Sequence, residues 1–419
     1  MKITIIFGKY FNSWEALGCG YIGAYLKKKL PSCVVNFFHG NFDSDEQVIS
    51  GSLDSDIILF SATTPTYKYC VDIARKIKLQ NKNVHCTLGG YHASAVKEEA
   101  LVDGIIDQVV VGEGESAVVD IVKGNREKVI YGERMLFSDL PWPDRELIKN
   151  ERNIQVAFND TGKNITSFQS HRACPFRCKY CLDGYSSVMY PTKGVFERSI
   201  NNLLDEMEFV SQKYKLDLLK FCDATWNVNK QYVKRFCMEK INRRFNLPYF
   251  ANIHANVVDE KMFEFMKKSN CLEIGIGIES GSERILKNIG KNTNKKSIKH
   301  AVTLAKENDI FVRGYFILGM PGETEEDLKM TEEFAEELEL GSYGFTILCP
   351  YPGTKMYLDS NGEFKNIVWE STDEYINYFW DTGFVSNEKL RFIQDSMVKK
   401  FSNKVVWRNK IILNDSKDK

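Results

Sequence analysis

No apolar run in this 419-residue chain reaches the ~18 residues of a membrane span, so a helical membrane protein is not expected. Nor is there an excess of one charge. Lys and Arg number 56 and Asp and Glu 56, with no long block of one sign and no basic runs interleaved with aromatics. A nucleic-acid or anionic-membrane partner is therefore unsupported. The first residues, MKITIIFGKYFNSW, carry a short apolar run but no small-residue cleavage site, and read as the first buried strand of a cytoplasmic protein. No Gly-x-Gly-x-x-Gly follows that strand, which argues against a Rossmann dinucleotide site. No Ser-His-Asp set or helix-borne metal motif is present to compete for an active site. Cysteine, by contrast, is plentiful. Eleven is an odd number, and eight lie scattered at 19, 33, 70, 86, 222, 237, 271 and 349, which suits buried thiols in a reducing compartment and not a disulfide framework.

At this length, with 43% hydrophobic and 27% charged residues, two folded domains are expected. Over residues 1–130, apolar runs (3–7, 33–38, 56–61, 83–88, 107–112) alternate with stretches of helical period (14–26, 67–79 and from about 115). Strands this apolar read as a parallel sheet covered on both faces, a doubly wound, flavodoxin-like α/β domain of about five strands. Residues 131–165 are less periodic, and LPWPDRE (140–146) suits an irregular linker. Over 166–355 the alternation resumes, with strands near 166–170, 217–223, 248–256, 272–279, 310–318 and 343–350 and helices between them. That pattern predicts a partial (βα)6 TIM-type barrel with functional loops at the C-terminal strand ends. The last segment, 356–419, looks folded and mostly helical, with an amphipathic helix near 387–402 and aromatics at Trp369, Tyr378 and Trp380.

The segment SHRACPFRCKYCLDG puts Cys174, Cys178 and Cys181 directly after the first barrel strand. Three thiolates at these spacings wrap a compact cluster from one loop and leave one iron of a cubane without a protein ligand. A structural zinc would want a fourth ligand, for which His171 is the candidate, but zinc explains neither the strand-end position nor the motifs downstream.

C-x-x-x-C-x-x-C with an aromatic before the last cysteine, here Tyr180, resembles the signature of the radical S-adenosylmethionine (SAM) superfamily. The resemblance covers roughly 166–355. It implies a [4Fe–4S] cluster on the three cysteines, with SAM on the open iron cleaved to a 5′-deoxyadenosyl radical. EIGIGIESGSE (273–283) matches the family's ribose-contacting turn, with Glu279 and Ser280 as the candidates. YFILGMPGETEEDL (315–328) leaves its strand through Gly319, Pro321 and Gly322, a turn that lies near the adenine in the family and lets backbone approach a planar ligand. Glu325 and Glu326 are more simply first-turn acids at a helix N-terminus. Asp223 in FCDATWNVN (221–229) resembles the acidic contact to the SAM amino group, and a helix cap or strand-end turn is its other reading. Arg313 is a candidate for the SAM carboxylate, although a strand arginine is about as often structural. ILCPYPGTKMY (347–357) resembles the branch that carries an N-terminal cobalamin domain, with Tyr351 and Pro352 at the substrate mouth.

In the first domain, SATTPT (61–66), LGGYHAS (88–94) and VVVGEGES (109–116) end three strands in small residues, as in the cobalamin-binding domains of that branch. Such a crevice at adjacent strand ends suits a large cofactor. The residues implied are Ser61, Thr63, Gly89, Gly90, His92, Gly112, Glu113 and Gly114. His92 lacks the aspartate of the Asp-x-His-x-x-Gly run found in proteins that ligate cobalt through histidine, so it is not assigned as the cobalt ligand. Flavin is the other ligand to weigh on this fold.

The function this resemblance implies is a cobalamin-dependent radical SAM enzyme, a methyltransferase at an unactivated carbon, with cyclisation or rearrangement as the alternative outcome. A metal-binding α/β protein that recognises a ligand without catalysis is the competing class. The enzyme reading implies an external electron donor such as flavodoxin or ferredoxin and a small-molecule or peptide substrate. His254 and His171 are further candidates for the barrel interior, and Trp226, Tyr185 and Tyr315 for substrate contacts. No cysteine follows Cys349, so one cluster per chain is expected.

Overall fold

Apolar residues at alternate positions build the first sheet and cover both its faces. In this computed structural model, which describes residues 1–10, 15–184, 194–360, 364, 367–369, 372–375 and 377–404, the sheet contains β1 (Lys2–Phe7), β2 (Val34–His39), β3 (Ile57–Ser61), β4 (His85–Gly89), β5 (Gln108–Gly112) and β6 (Val129–Gly132). Their order is β2-β1-β3-β4-β5-β6 and every pair is parallel. Ile3, Ile5, Ile57, Leu59 and Val110 pack on one side with helices Leu17–Lys29 and Gly114–Val122. Ile6, Ile58, Phe60, Val109 and Val111 pack on the other with helix Tyr67–Gln80. A period of two along each strand thus feeds two cores. The connection order reverses beside β1, and in such sheets ligands bind outside the carboxyl ends of the strands.

The chain divides into two units, of which this sheet belongs to the first: Met1–Asn153, Cys181–Phe196 and Pro350–Ser371. The second unit, Ile154–Tyr180, Glu197–Cys349 and Thr372–Lys419, holds the other large sheet. Its strands are β7 (Ile165–Phe168), β8 (Leu218–Phe221), β9 (Tyr249–Ile253), β10 (Cys271–Glu279), β11 (Phe311–Leu318) and β12 (Ser342–Ile347). They are all parallel and lie in sequential order. Five crossover helices start with a side chain capping an otherwise unpaired backbone N–H: Ser199, Asn229, Asp259, Asn294 and Thr324. Each cap contributes about 1 kcal/mol and fixes where the loop after a strand ends, so all five loops return at one edge of the sheet.

Three features depart from the sequence pattern. A sixth strand, Val129–Gly132, extends the first sheet. A helix, Glu151–Thr161, occupies part of the stretch expected to be irregular. The first helix begins at Leu17, three residues after its expected start, and Trp14 lies outside the described residues. The added strand has only four residues, too few for a periodic signal, and its pairing with β5 decides it.

The C-terminal segment braces the ends of β11 and β12. Helix Asn387–Lys400 lies on β12, where the Gln394 amide donates to the Phe345 carbonyl at 3.0 Å. The Asn377 amide donates to the Leu348 carbonyl at 2.9 Å, and the buried Trp380 indole N–H donates to the Gly319 carbonyl at 2.5 Å. Among the described residues no helix is long and apolar enough to cross a membrane. Trp380→Ala removes a buried indole together with its hydrogen bond, and is expected to cost about 3–5 kcal/mol in urea unfolding followed by circular dichroism. A loss below about 1 kcal/mol means that the segment does not brace this loop.

Candidate active site

The cysteine run is pinned before it begins. Asp223, buried just past the end of β8, accepts through Oδ1 from the Ser170 and His171 N–H groups at 2.9 and 2.5 Å, and through Oδ2 from the Ser170 hydroxyl at 3.0 Å. Burial pushes its carboxyl up to about 7 against the pull of these bonds. Asp223 therefore holds the chain three residues ahead of Cys174. Next comes Ala173 at φ 72°, a left-handed turn in a residue with a side chain.

Further contacts anchor the run itself to neighbouring strand ends. Cys174 Sγ lies 3.5 Å from Thr225 Oγ1. Phe176 stacks on His254, just beyond β9, with ring centroids 3.7 Å apart and planes 11° from parallel. Lys179 N–H donates to the Ile289 carbonyl at 3.0 Å. Tyr180 O–H donates to Glu279 Oε1 at 2.9 Å. Cys174 and Cys178 fall in the second unit, while Cys181 opens the segment assigned to the first. None of the eleven cysteines is in a disulfide. Burial pushes the Cys178 thiol up, and the Lys291 cation opposes it. Among the described residues, no three His, Cys, Asp or Glu side chains converge closely enough to hold a metal ion unaided.

The donor set fits an iron–sulfur cluster, with three soft sulfur ligands within eight residues and no carboxylate between them. An orphaned atom agrees with a ligand nearby. His254 Nδ1 accepts from Asn256 N–H at 3.2 Å, which leaves the proton on Nε2, and that atom is buried without a hydrogen-bond partner. Burial and then the Lys291 charge lower this histidine to about 3, so the ring is neutral.

Glu279 ends β10 at φ 65°, where the register with β11 shifts. Its carboxylate meets Tyr180 and also Lys291, whose Nζ lies 2.7 Å from Oε1 and 3.4 Å from the tyrosine oxygen. Gly277 makes the space. A Cβ there would stand 2.3 Å from Glu279 Oε1 and 2.7 Å from Lys291 Nζ. Ser280, next along, pairs instead with Thr331 at 3.1 Å and Glu323 at 3.4 Å. Glu323 in turn accepts from the Gly319 and Met320 N–H groups at 2.6 and 3.0 Å, closing the GMPGE turn around its own carboxylate. Pro321 lies exposed on that turn.

The charge partner of Arg313 is Glu273, 2.7 Å away, and both are buried. Arg313 sits at the wall of a cavity of about 210 Å³ lined also by Glu279, Tyr315, Ile317, Thr346 and Tyr375, among others. Arg313, Tyr315 and Ile317 reach it together because alternate residues of β11 share a face. Trp226, by contrast, is fully buried with Phe221 and Phe236, and Tyr185 lies outside the described residues.

In the first unit the small residues form a bare crevice edge. Ser61, Thr63, Gly89, Gly90, Gly112, Glu113 and Gly114 are all partly exposed at the ends of β3, β4 and β5. The Ser94 hydroxyl donates to the Gly90 carbonyl and accepts from Gly112 N–H, joining two of these ends. Gly90, at φ 98°, permits a close approach in which a Cβ would meet the Ala62 carbonyl at 2.5 Å. Bare backbone at three adjacent ends fits a large planar ligand. His92 is turned away, buried 3.2 Å from Thr64 Oγ1 and tilted against the Tyr67 ring, and burial lowers it to about 4. Glu113 accepts from Arg134 Nε at 2.6 Å.

Sequence reasoning missed Lys291, Glu273, Glu374 and Tyr375. Lys291 stands alone in a polar loop with no motif around it, and the other three become neighbours of the site only through strand pairing and the return of the C-terminal segment.

Comparison with known proteins adds the following. The family model of the radical SAM superfamily matches residues 168–335, and that of the B12 binding domain matches residues 3–122. An uncharacterized methyltransferase of Pyrococcus horikoshii is 28% identical over 374 residues, covering 84% of this chain and 80% of that protein. The anaerobic magnesium-protoporphyrin IX monomethyl ester cyclase of Rubrivivax gelatinosus is 22% identical, covering 84% of this chain and 66% of that protein. Among solved structures, the radical SAM methyltransferase TsrM of Kitasatospora setae, with cobalamin and a [4Fe–4S] cluster bound, superposes with a TM-score of 0.75 at 14% identity, over 97% of this chain and 93% of that one.

Burial pushes the Glu323 carboxyl from its ordinary 4.5 up to about 7, despite two backbone donors. A carboxyl raised in the folded state binds its proton more tightly there than when unfolded. Its contribution to stability is complete below the unfolded value and lost as pH rises through about 7. Glu323→Gln keeps a neutral acceptor, so its melting temperature relative to wild type is expected to rise between about pH 5 and pH 8. A constant difference across that range means that Glu323 is ionised throughout.

Proposed function

Because the chain belongs to the radical SAM superfamily and carries a B12-binding domain ahead of its radical SAM domain, we propose that it is a cobalamin-dependent methyltransferase acting at an unactivated carbon of a biosynthetic intermediate. In that chemistry a [4Fe–4S] cluster and SAM supply a 5′-deoxyadenosyl radical, and methylcobalamin supplies the methyl group. Residues 1–130 take the cobalamin, 166–355 carry the radical chemistry, and 356–419 shape the substrate mouth.

Cys174, Cys178 and Cys181 hold the cluster and leave one iron for SAM. Asp223 fixes the entry to that loop through Ser170 and His171. Glu279 accepts from the ribose hydroxyls, and the Gly319–Pro321 turn borders the adenine. Neutral His254 presents an N–H beside the loop. In the first unit Ser61, Thr63, Gly89, Gly90, Gly112, Glu113 and Gly114 border the cobalamin, and inward-turned His92 leaves the cobalt to other ligands. The observation that carries the reading is the 2.9 Å bond from Tyr180 to Glu279, which joins the cysteine run to the strand end that matches the family's ribose turn. A reduced flavodoxin or ferredoxin in the cytoplasm supplies the electron, and the substrate is a small molecule or peptide. A cyclase is the second reading, favoured by the similarity to the Rubrivivax cyclase.

Anaerobic reconstitution tests the proposal. Roughly four irons per chain are expected, with 5′-deoxyadenosine formed from SAM under reductant. Cys178→Ala is expected to lose both. Bound zinc without SAM cleavage overturns the radical chemistry. Protein grown with cobalamin is expected to show a corrinoid absorption spectrum, and none retained under anaerobic conditions overturns the methyltransferase. A substrate-derived product with an unchanged carbon count favours the cyclase.

A further inference from the structure

Lys291 is buried in the loop after helix Glu283–Asn288, an environment that lysine occupies at a cost unless it is paired. Its ammonium meets Glu279 Oε1 at 2.7 Å and the Tyr180 oxygen at 3.4 Å. Three further features converge on the same point. Glu279 is held at φ 65°, a conformation that side chains seldom adopt and that clusters at functional sites. The space for the contact exists only because residue 277 is a glycine. The loop carrying Lys291 is fastened to the cysteine run, since Lys179 N–H donates to the Ile289 carbonyl at 3.0 Å.

Glu279 also lines the cavity of the second unit. Tyr180 and Lys291 both meet the same carboxylate oxygen, Oε1, which leaves the other to face a ligand. Two donors on one oxygen fix the carboxylate plane, and the ammonium makes its contact a charge-assisted one. We propose that Lys291 is a positioning residue for SAM: it locks Glu279 in the orientation in which its second oxygen reads the vicinal ribose hydroxyls. The inference rests on SAM binding at Glu279, a part of the proposed function that does not depend on methyl transfer.

The test compares wild type, Lys291→Met and Lys291→Arg as full-length reconstituted protein. It measures iron per chain and the affinities for SAM and for its 2′-deoxyadenosyl counterpart, by calorimetry without reductant so that no turnover is involved. Wild type is expected to prefer SAM to the deoxy compound. Lys291→Met is expected to keep its iron, to bind SAM at least tenfold more weakly, and to lose most of that preference, because its weakened contact is the one the deoxy compound already lacks. Lys291→Arg, which keeps the charge, is expected to recover part of both. If Lys291→Met retains iron and the wild-type preference, the proposal is overturned. Loss of iron in both variants overturns it as well, by making Lys291 a brace for the cysteine run. Failure to retain corrinoid or to methylate leaves these ratios untouched, so the two hypotheses fail separately.

Discussion

A carboxylate at the end of a parallel strand has no strand neighbour to receive it, and Glu279 shows what must be arranged around one. Its left-handed backbone costs about 1–2 kcal/mol. Charge-assisted hydrogen bonds contribute about 1.5–3 kcal/mol each, enough to outweigh that strain when Tyr180 and Lys291 both donate. The arrangement is all-or-none. Removing one charged partner from such a buried pair strands the other, at about 3–5 kcal/mol. Much of the second unit is organised around this requirement: a glycine two residues earlier for space, a register shift to turn the strand, and a cysteine run whose tyrosine arrives from more than ninety residues away.

The same economy of polar groups recurs along the sheet edge. Asp223 is committed to Ser170 and His171, Glu323 to Gly319 and Met320, and Arg313 to Glu273. Each is a buried ionisable group held by the loop or strand beside it, as buried charges must be. The first two tie down loops at the rim of the sheet, and the third links β10 to β11 within it. The C-terminal segment adds to this rim from outside, with Trp380 on the Gly319 carbonyl and the Thr382 hydroxyl on that of Glu323. Side chains that reach a cofactor must be held within a fraction of an ångström, and packing of this kind does so.

The first unit solves the opposite problem. The ends of β3, β4 and β5 carry almost no side-chain bulk, and backbone and hydroxyl hydrogen bonds hold the loops together: Ala62 N–H to the Gly89 carbonyl, and Ser94 between Gly90 and Gly112. A surface of backbone and small residues is what a broad, flat cofactor can approach closely. His92, beside the ends of β3 and β4, is folded into the protein and packs against Tyr67.

The architecture and the chemical class were legible in the sequence. Continuous apolar strands announced two parallel α/β layers, and glycines marked the turn after β11. The spacing of Cys174, Cys178 and Cys181 and the EIGIGIES run identified the chemistry because few other functions require those residues together. Such features are local: strand periodicity, turn conformation and ligand spacing are all set within a dozen residues. Tertiary structure alone decided what the candidate residues touch. Asp223 turned out to face the backbone ahead of the cysteines and Arg313 to face Glu273, because strand register and burial assign partners across long separations. Lys291 had no signal at all, since a lysine in a loop is ordinarily solvated. It becomes part of the site only because the fold buries it against a carboxylate that the sequence had already singled out.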